Sequence, residues 1–243
     1  EYLYYVGCGG AFDANNRKTT QSLVKILKEA GVSYAILGKE ELCNGETARR
    51  LGNEYLFQTL AEALVAKLNS YGVKKILVNC PHCFNTMTNE YPDFGAKWEV
   101  IRAGDLVSRL VEEGKIKITK QMDKKVVYHD SCYFGRFNNV YEEPRNLLSH
   151  VPGAKLEEMD NNRGKGTCCG AGGGRMWVEE KADQRVNALR VSQAMDKKPD
   201  VIATSCPYCR IMIGNGVTDK GVDDKVQVMD IMQIVANHME EKV

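Results

Sequence analysis

The apolar positions of the chain fall into short compact runs that alternate with longer helical stripes. Tyr2–Val6, Lys75–Val78, Val126–Tyr128 and Val201–Ala203 each read as a short buried strand. Helical periodicity fits Ser22–Glu29, Leu51–Asn69, Arg185–Met195 and Met229–Met239. Gly31 and Gly72 stand where glycines that end helices belong. The stripe Leu56, Leu60 and Leu64 reads as core. Strands that alternate with helices imply βαβ units, and so parallel sheets covered by helices on both faces.

The pattern occurs twice. Nine cysteines form two sets, Cys8, Cys43, Cys80 and Cys83, then Cys132, Cys168, Cys169, Cys206 and Cys209. The offset is 126 from 43 to 169, from 80 to 206 and from 83 to 209, and 124 from 8 to 132. One two-residue indel reconciles them, so the chain reads as a duplication, residues 1–120 and 121–243. The charged stretch Gly114–Lys125 carries little apolar pattern and is expected to connect the halves. The fold class is therefore α/β, two small doubly wound, Rossmann-like modules with parallel sheets. Each cysteine group comes at or just after a strand and before a helix. That is the carboxyl edge, where ligands collect in such sheets and helix N-termini stabilise thiolates.

Composition narrows the classes. With 33 basic against 32 acidic residues the net charge is +1, which excludes a strongly basic nucleic-acid binder and a polyacidic tail. No partner nucleic acid is expected. No run of 18 apolar residues spans a membrane. No signal peptide or lipidation box is recognisable, and a chain that starts at Glu1 is expected to be part of a longer polypeptide. An odd cysteine count leaves a disulfide framework one thiol short, and the chain is long and core-rich. Clustered cysteines then point to metal ligands or redox thiols in a reducing compartment.

Thiolates are soft ligands that select iron–sulfur clusters, zinc or Cu(I). Four suit a cubane cluster or a structural zinc equally well, so the first set leaves both open. Five do not suit four-coordinate zinc. The adjacent pair Cys168–Cys169 puts two sulfurs where they reach different metal atoms, which argues for a multinuclear iron centre. The loop that follows runs Gly170-Ala-Gly-Gly-Gly-Arg175. It is a poor dinucleotide loop, because Arg175 replaces the third glycine of G-x-G-x-x-G. Gly170, Gly172 and Gly173 instead let the backbone wrap a bulky cofactor and turn amides toward its sulfurs.

Cys80-Pro-His-Cys83 and Cys206-Pro-Tyr-Cys209 share dipeptides with thiol–disulfide oxidoreductases. Each pair, however, lies 37 residues after another cysteine and 72 or 74 after a third. Pro81 and Pro207 then rigidify a turn. His82 and His129 are candidate proton donors or ligands; a histidine in a turn defaults to the surface, as His150 and His238 on helices do. Arg136 and Arg175 either neutralise cluster charge or are ordinary surface arginines. Trp177 either shields a cluster or, preferably, packs on a helix. No catalytic residue is assigned apart from the cysteine sites.

The half-motif Cys132, Cys168-Cys169-Gly170 and Cys206-Pro-Tyr-Cys209 resembles the cysteine-rich CCG domain of heterodisulfide reductase catalytic subunits, which carry two such domains in tandem. The resemblance covers essentially the whole chain. It implies a non-cubane [4Fe–4S] assembly on Cys132, Cys168, Cys169, Cys206 and Cys209. The first half departs from it, since Glu41-Leu-Cys-Asn-Gly45 puts Leu42 at a ligand position and Asn44 at the glycine. A cubane [4Fe–4S] on Cys8, Cys43, Cys80 and Cys83 is expected there, with zinc second. Ala48–Phe57 and Cys80–Thr86 resemble a narrower branch, larger Fe–S oxidoreductases similar to bacterial electron-transfer-flavoprotein:menaquinone oxidoreductases. Those join a membrane cytochrome b-like part and a ferredoxin-like part to the tandem domains. The branch implies an Fe–S electron-transfer module that meets a ferredoxin-like domain or subunit, an electron-transfer flavoprotein and a cytochrome b-like or quinone-reactive partner. It implies a cytoplasmic place, peripheral to the membrane through those partners. Heterodisulfide-type disulfide reduction, a zinc-stabilised scaffold and a metal-free thiol oxidoreductase are the alternatives.

Overall fold

The computed structural model describes residues 1–181 and 184–241. Two four-stranded, all-parallel sheets carry the chain. The first holds β1 (Tyr2–Tyr5), β2 (Tyr34–Ala35), β3 (Lys75–Val78) and β4 (Glu99–Arg102) in the order β2-β1-β3-β4. The second holds β5 (Lys124–Tyr128), β6 (Ala154–Glu157), β7 (Val201–Thr204) and β8 (Gln227–Asp230) in the equivalent order β6-β5-β7-β8. Leu3 pairs with Ile76, and Val127 pairs with Ile202, so the strand registers match at the same offsets as the cysteines. Strand order reverses between β1 and β3, and again between β5 and β7, and the crevice outside such a point is where α/β sheets bind ligands.

Helices cover both faces of each sheet. In the first half they are α1 (Gly7–Phe12), α2 (Ala14–Glu29), α3 (Glu46–Arg50), α4 (Glu54–Ser70), α5 (Pro81–Asn89) and α6 (Ala103–Glu112). In the second they are α7 (Cys132–Asn138), α8 (Glu143–Ser149), α9 (Val186–Met195), α10 (Pro207–Asp219) and α11 (Ile231–His238). Helices α2, α6, α8 and α11 give one shared core to the two sheets, where Leu23, Leu106, Leu147 and Ile234 meet Tyr4 and Tyr128. Helix α4 covers the other face of the first sheet, with Phe57, Leu64 and Leu68 against Ile76 and Val78. Helices α9 and α10 do the same for the second, with Val191 and Ile213 against Ile202. Removing this apolar surface from water is the main force that holds the layers together.

Three expectations need correction. The core face of α4 is Phe57, Ala61, Leu64, Val65 and Leu68, while Leu56 is 42% exposed. Leu64 stays in the core, but packing against Ile76 and Val78 selects the face of Phe57 and Ala61 over that of Leu56. Helix α2 starts two turns before Ser22, because Asp13 accepts from the Asn15 and Asn16 amides and starts it at a polar stretch without apolar period. The connecting segment is not merely a charged spacer. It buries Ile116 and Met122, and Ile118 bridges to Met239. Two apolar anchors among many charges make too weak a pattern to read. Among the described residues no helix is long and apolar enough to cross a membrane.

Candidate metal centres

Strand β1 leads into Cys8 and strand β3 into Cys80, which is the N-cap of α5, with Pro81 at the first helical position. Strands β5 and β7 do the same for Cys132 and Cys206. The parallel sheets thus bring segments distant in sequence to one edge, but Cys43 and the Cys168–Cys169 pair come from loops well past β2 and β6 rather than from just after a strand. Cys8, Cys43, Cys80 and Cys83 line one narrow pocket together with Glu46, His82 and Tyr208. Cys132, Cys168, Cys169, Cys206 and Cys209 form a second group, in which neighbouring thiols are close enough to act on one another as donor and acceptor. The Cys132 and Cys169 thiols, opposed by burial, pull Cys168 far below the ordinary thiol range, and the Gly170 amide, 3.2 Å from its sulfur, adds to this. Cys132 is pushed up by donating to Cys168, and then by burial. Within this ring of thiols the acidity of each member thus depends on which neighbour donates to it.

The two groups touch. Burial pushes the Cys80 thiol up, but the Cys206 and Cys83 thiols, donating to it, bring it well below its usual range. Cys80 and Cys206 are the first cysteines of the two C-P-x-C motifs, both buried. The third residue of each motif reaches the other half. The Tyr208 hydroxyl lies 3.0 Å from Cys8 Sγ. His82 stacks on Tyr133 at 4.0 Å, next to Cys132, and meets Tyr208 edge-on at 4.9 Å. Glu46 Oε1 accepts from Tyr133 at 2.8 Å and lies 3.1 Å from His82 Nδ1. Burial opposes ionisation of Glu46, yet His82, Tyr133 and Arg50 hold its carboxyl below the usual range. His82 is thus buried between aromatic rings rather than exposed in a turn.

The surroundings of the two groups differ. His129 follows β5 and is buried, and its Nδ1 accepts from Arg190 Nε at 3.0 Å. A ring nitrogen of His129 and the Cys169 and Cys209 sulfurs lie within 4.8 Å of one another. Burial, then the Arg190 charge, pushes His129 down to about 3, so the ring is neutral. Asp130 makes a two-pronged ion pair with Arg145 at 2.8 and 3.0 Å and accepts from the Arg163 amide, which fixes the loop before Cys132. In the first half Tyr5 occupies the place of His129 and spends its hydroxyl on the Leu42 carbonyl at 2.7 Å. Glu41 there accepts from the Val6 and Gly7 amides and ties the Cys43 segment to the Cys8 loop.

Other expected residues lie elsewhere. Arg136 donates to the Gly164 and Gly166 carbonyls, and Arg175 pairs with Glu180. Trp177 is 69% exposed and packs on no helix core. His150 is exposed and His238 half-buried, at the ends of α8 and α11. Gly170 takes φ of +88° and Gly173 of +66°, and Gly172 has open space where a Cβ would stand. Glu46, Tyr133 and Arg190 escaped the sequence reading. An arginine set between Leu189 and Val191 in the stripe of Arg185–Met195 was the signal for Arg190; no sequence signal marks the other two.

The family model for the CCG cysteine-rich domain matches this chain twice, over residues 2–88 and 126–214, and the chain belongs to that family. Across 97% of its length it is 44% identical to the "Probable iron-sulfur-binding oxidoreductase FadF" of Bacillus subtilis. Across 99% it is 43% identical to the "EtfAB:quinone oxidoreductase" of Syntrophomonas wolfei. The chain spans 34% of the length of each of these two. It is also 31% identical, across 97% of its length, to one subunit of the dihydromethanophenazine:CoB–CoM heterodisulfide reductase of Methanosarcina barkeri, of which it covers 58%.

Proposed function

We propose that this chain is the cysteine-rich part of an iron–sulfur oxidoreductase and carries electrons between a flavoprotein and a quinone-reactive partner. The observation that carries the reading is the five-thiol ring at the carboxyl edge of the second sheet, set against a four-thiol group through Cys80 and Cys206. Five soft donors exceed what one tetrahedral zinc takes, and they fit a multinuclear iron centre. Cys132, Cys168, Cys169, Cys206 and Cys209 would hold a non-cubane [4Fe–4S] group. Cys8, Cys43, Cys80 and Cys83 would hold a cubane one, with zinc as the other occupant. Such a group, when bound, supplies a one-electron redox couple.

The protein's part is to hold, shield and connect. Buried Cys169, Cys206 and Cys209 keep water from one side of the ring, and half-buried Cys132 and Cys168 leave the other side open to a partner. Gly170, Gly172 and Gly173 would place backbone amides beside the sulfurs. The contact between Cys80 and Cys206 gives an electron a short route between the halves. The relative named for EtfAB and quinone supports an electron-transfer flavoprotein as donor and a quinone-reactive membrane part as acceptor, with a ferredoxin-like domain beside it. That arrangement would keep the module at the cytoplasmic side of a membrane. The similarity to a heterodisulfide reductase component supports a second reading, disulfide reduction at the five-cysteine site.

Iron, zinc and acid-labile sulfide per chain, on protein purified without oxygen, test the proposal. About eight irons with matching sulfide, or about four with one zinc, are expected. Near-zero iron in protein never exposed to oxygen overturns it.

A further inference from the structure

The residues around the five-thiol ring include a buried histidine and a buried arginine that no cysteine motif demands. His129 is 1% exposed and Arg190 fully buried. Arg190 Nε donates to His129 Nδ1 at 3.0 Å, while Nη1 donates to the Asn161 carbonyl and Gln193 Oε1. A guanidinium keeps its protons in a protein and only donates. His129 Nδ1 must therefore present its lone pair, and the neutral ring carries its hydrogen on Nε2. That Nε2, and Arg190 Nη2, have no hydrogen-bond partner among the described residues. A buried N–H without an acceptor is costly, and so is a buried cation without a counter-charge. The charges that act on Arg190 are Asp130, which Arg145 already engages, and then Cys209 and Cys169. The same two sulfurs share the 4.8 Å cluster with the His129 ring.

The geometry points to His129 and Arg190 as a donor–cation pair for the second centre. His129 Nε2–H donates to a sulfur of that centre and does not ligate iron. Arg190 fixes the tautomer and adds positive charge, and together they raise the centre's reduction potential. The first half has no such pair. The matching registers place Tyr5 opposite His129, and the 126-residue offset places Leu64 opposite Arg190. Tyr5 has already given its hydroxyl hydrogen to Leu42, and Leu64 is apolar. The pair therefore makes the two centres unequal in potential, beyond the fifth cysteine. This inference rests on the iron–sulfur reading of the five-cysteine site.

The test uses the full chain, purified and loaded without oxygen, with iron and sulfide counted first. In the wild type, pulsed electron paramagnetic resonance of the reduced second centre is expected to show an exchangeable proton coupling that is lost in deuterium oxide, and only weak nitrogen coupling. His129→Leu should lose that proton coupling and shift the midpoint potential downward, with iron per chain unchanged. His129→Gln, which keeps an N–H, should recover part of the shift. Arg190→Lys, which keeps the charge and loses the clamp, should fall between wild type and Arg190→Leu. A strong, directly bonded nitrogen coupling in the wild type makes His129 a ligand and overturns the inference without any variant. An unchanged potential and proton coupling in His129→Leu overturn it too. Iron absent from the wild-type five-cysteine site overturns the parent reading and this inference with it.

Discussion

The two halves share a sheet order, a register and four cysteine positions, yet they surround those cysteines differently. The second half fixes its first cysteine loop with a buried ion pair, Asp130 to Arg145, and places His129 and Arg190 behind the ring. At the matching positions the first half has Val6, Tyr5 and Leu64, and Leu42 where Cys168 stands. Duplication kept the backbone that gathers the thiols. Divergence then acted on the groups that set charge and hydrogen bonding around them. The contrast teaches that one α/β edge accommodates two differently charged and hydrogen-bonded surroundings with few changes, because strand ends and helix N-termini place Cys8, Cys80, Cys83, Cys132, Cys206 and Cys209, while loops bring in Cys43, Cys168 and Cys169.

The largest effect is expected where the second half depends on charge. Both partners of the Asp130–Arg145 pair are nearly fully buried. Asp130→Ala leaves Arg145 with Glu158 alone and orphans the Arg163 amide, so it should cost about 3–5 kcal/mol in denaturant unfolding. Val6→Ala, at the equivalent place, should cost far less, and equal losses would break the comparison.

The next effect concerns pH. Asp230 caps α11 through the Met232 amide, whereas the register places Arg102 at the end of β4, where it gives α6 no side-chain cap. Burial pushes the Asp230 carboxyl up to about 7, although the Met232 amide and Asn79 work against it. A carboxyl raised in the folded state binds more protons folded than unfolded. Stability is therefore greatest below about pH 4 as far as this group goes, and falls as pH rises to about 7, by roughly 4 kcal/mol at most. Asp230→Asn should flatten that slope in unfolding curves taken across the range. A slope unchanged by the substitution would contradict the assignment.

Smaller effects probe the seam. Tyr133→Phe removes a hydrogen bond to the Glu46 carboxylate, which should cost about 1.5–3 kcal/mol in the same unfolding measurement. Smallest in stability is Leu42→Cys, at a partly exposed position, expected within about 0.5 kcal/mol of wild type. Its visible spectrum, once iron is loaded, is the sharper readout. A changed spectrum means the first site was short of a fifth thiolate, and an unchanged one means that the rest of its surroundings matter more.

Much of this was legible in the sequence. The cysteine offsets announced the duplication because a repeated fold keeps its strand-to-loop spacing, and the strand runs from Lys75 and Val201 stood out because parallel strands are buried on both faces. The ring and its partners were harder to see. Glu46, Tyr133 and His82 come together only because the halves pack face to face, and nothing local marks a side chain that answers a contact 87 residues away. Leu56 and Phe57 show the same limit inside a single helix, where the apolar period allows two adjacent faces and tertiary packing chooses one.

The central claim is that two unlike metal centres share this chain, the five-thiol one containing iron and sulfide. Mössbauer spectroscopy of protein grown on iron-57 and purified without oxygen tests it most directly. The account predicts an iron–sulfur subspectrum that collapses in Cys168→Ser, distinct from any signal of the first site, which that substitution leaves in place. A single uniform iron environment that Cys168→Ser leaves intact, or no iron–sulfur signal at all, would contradict it.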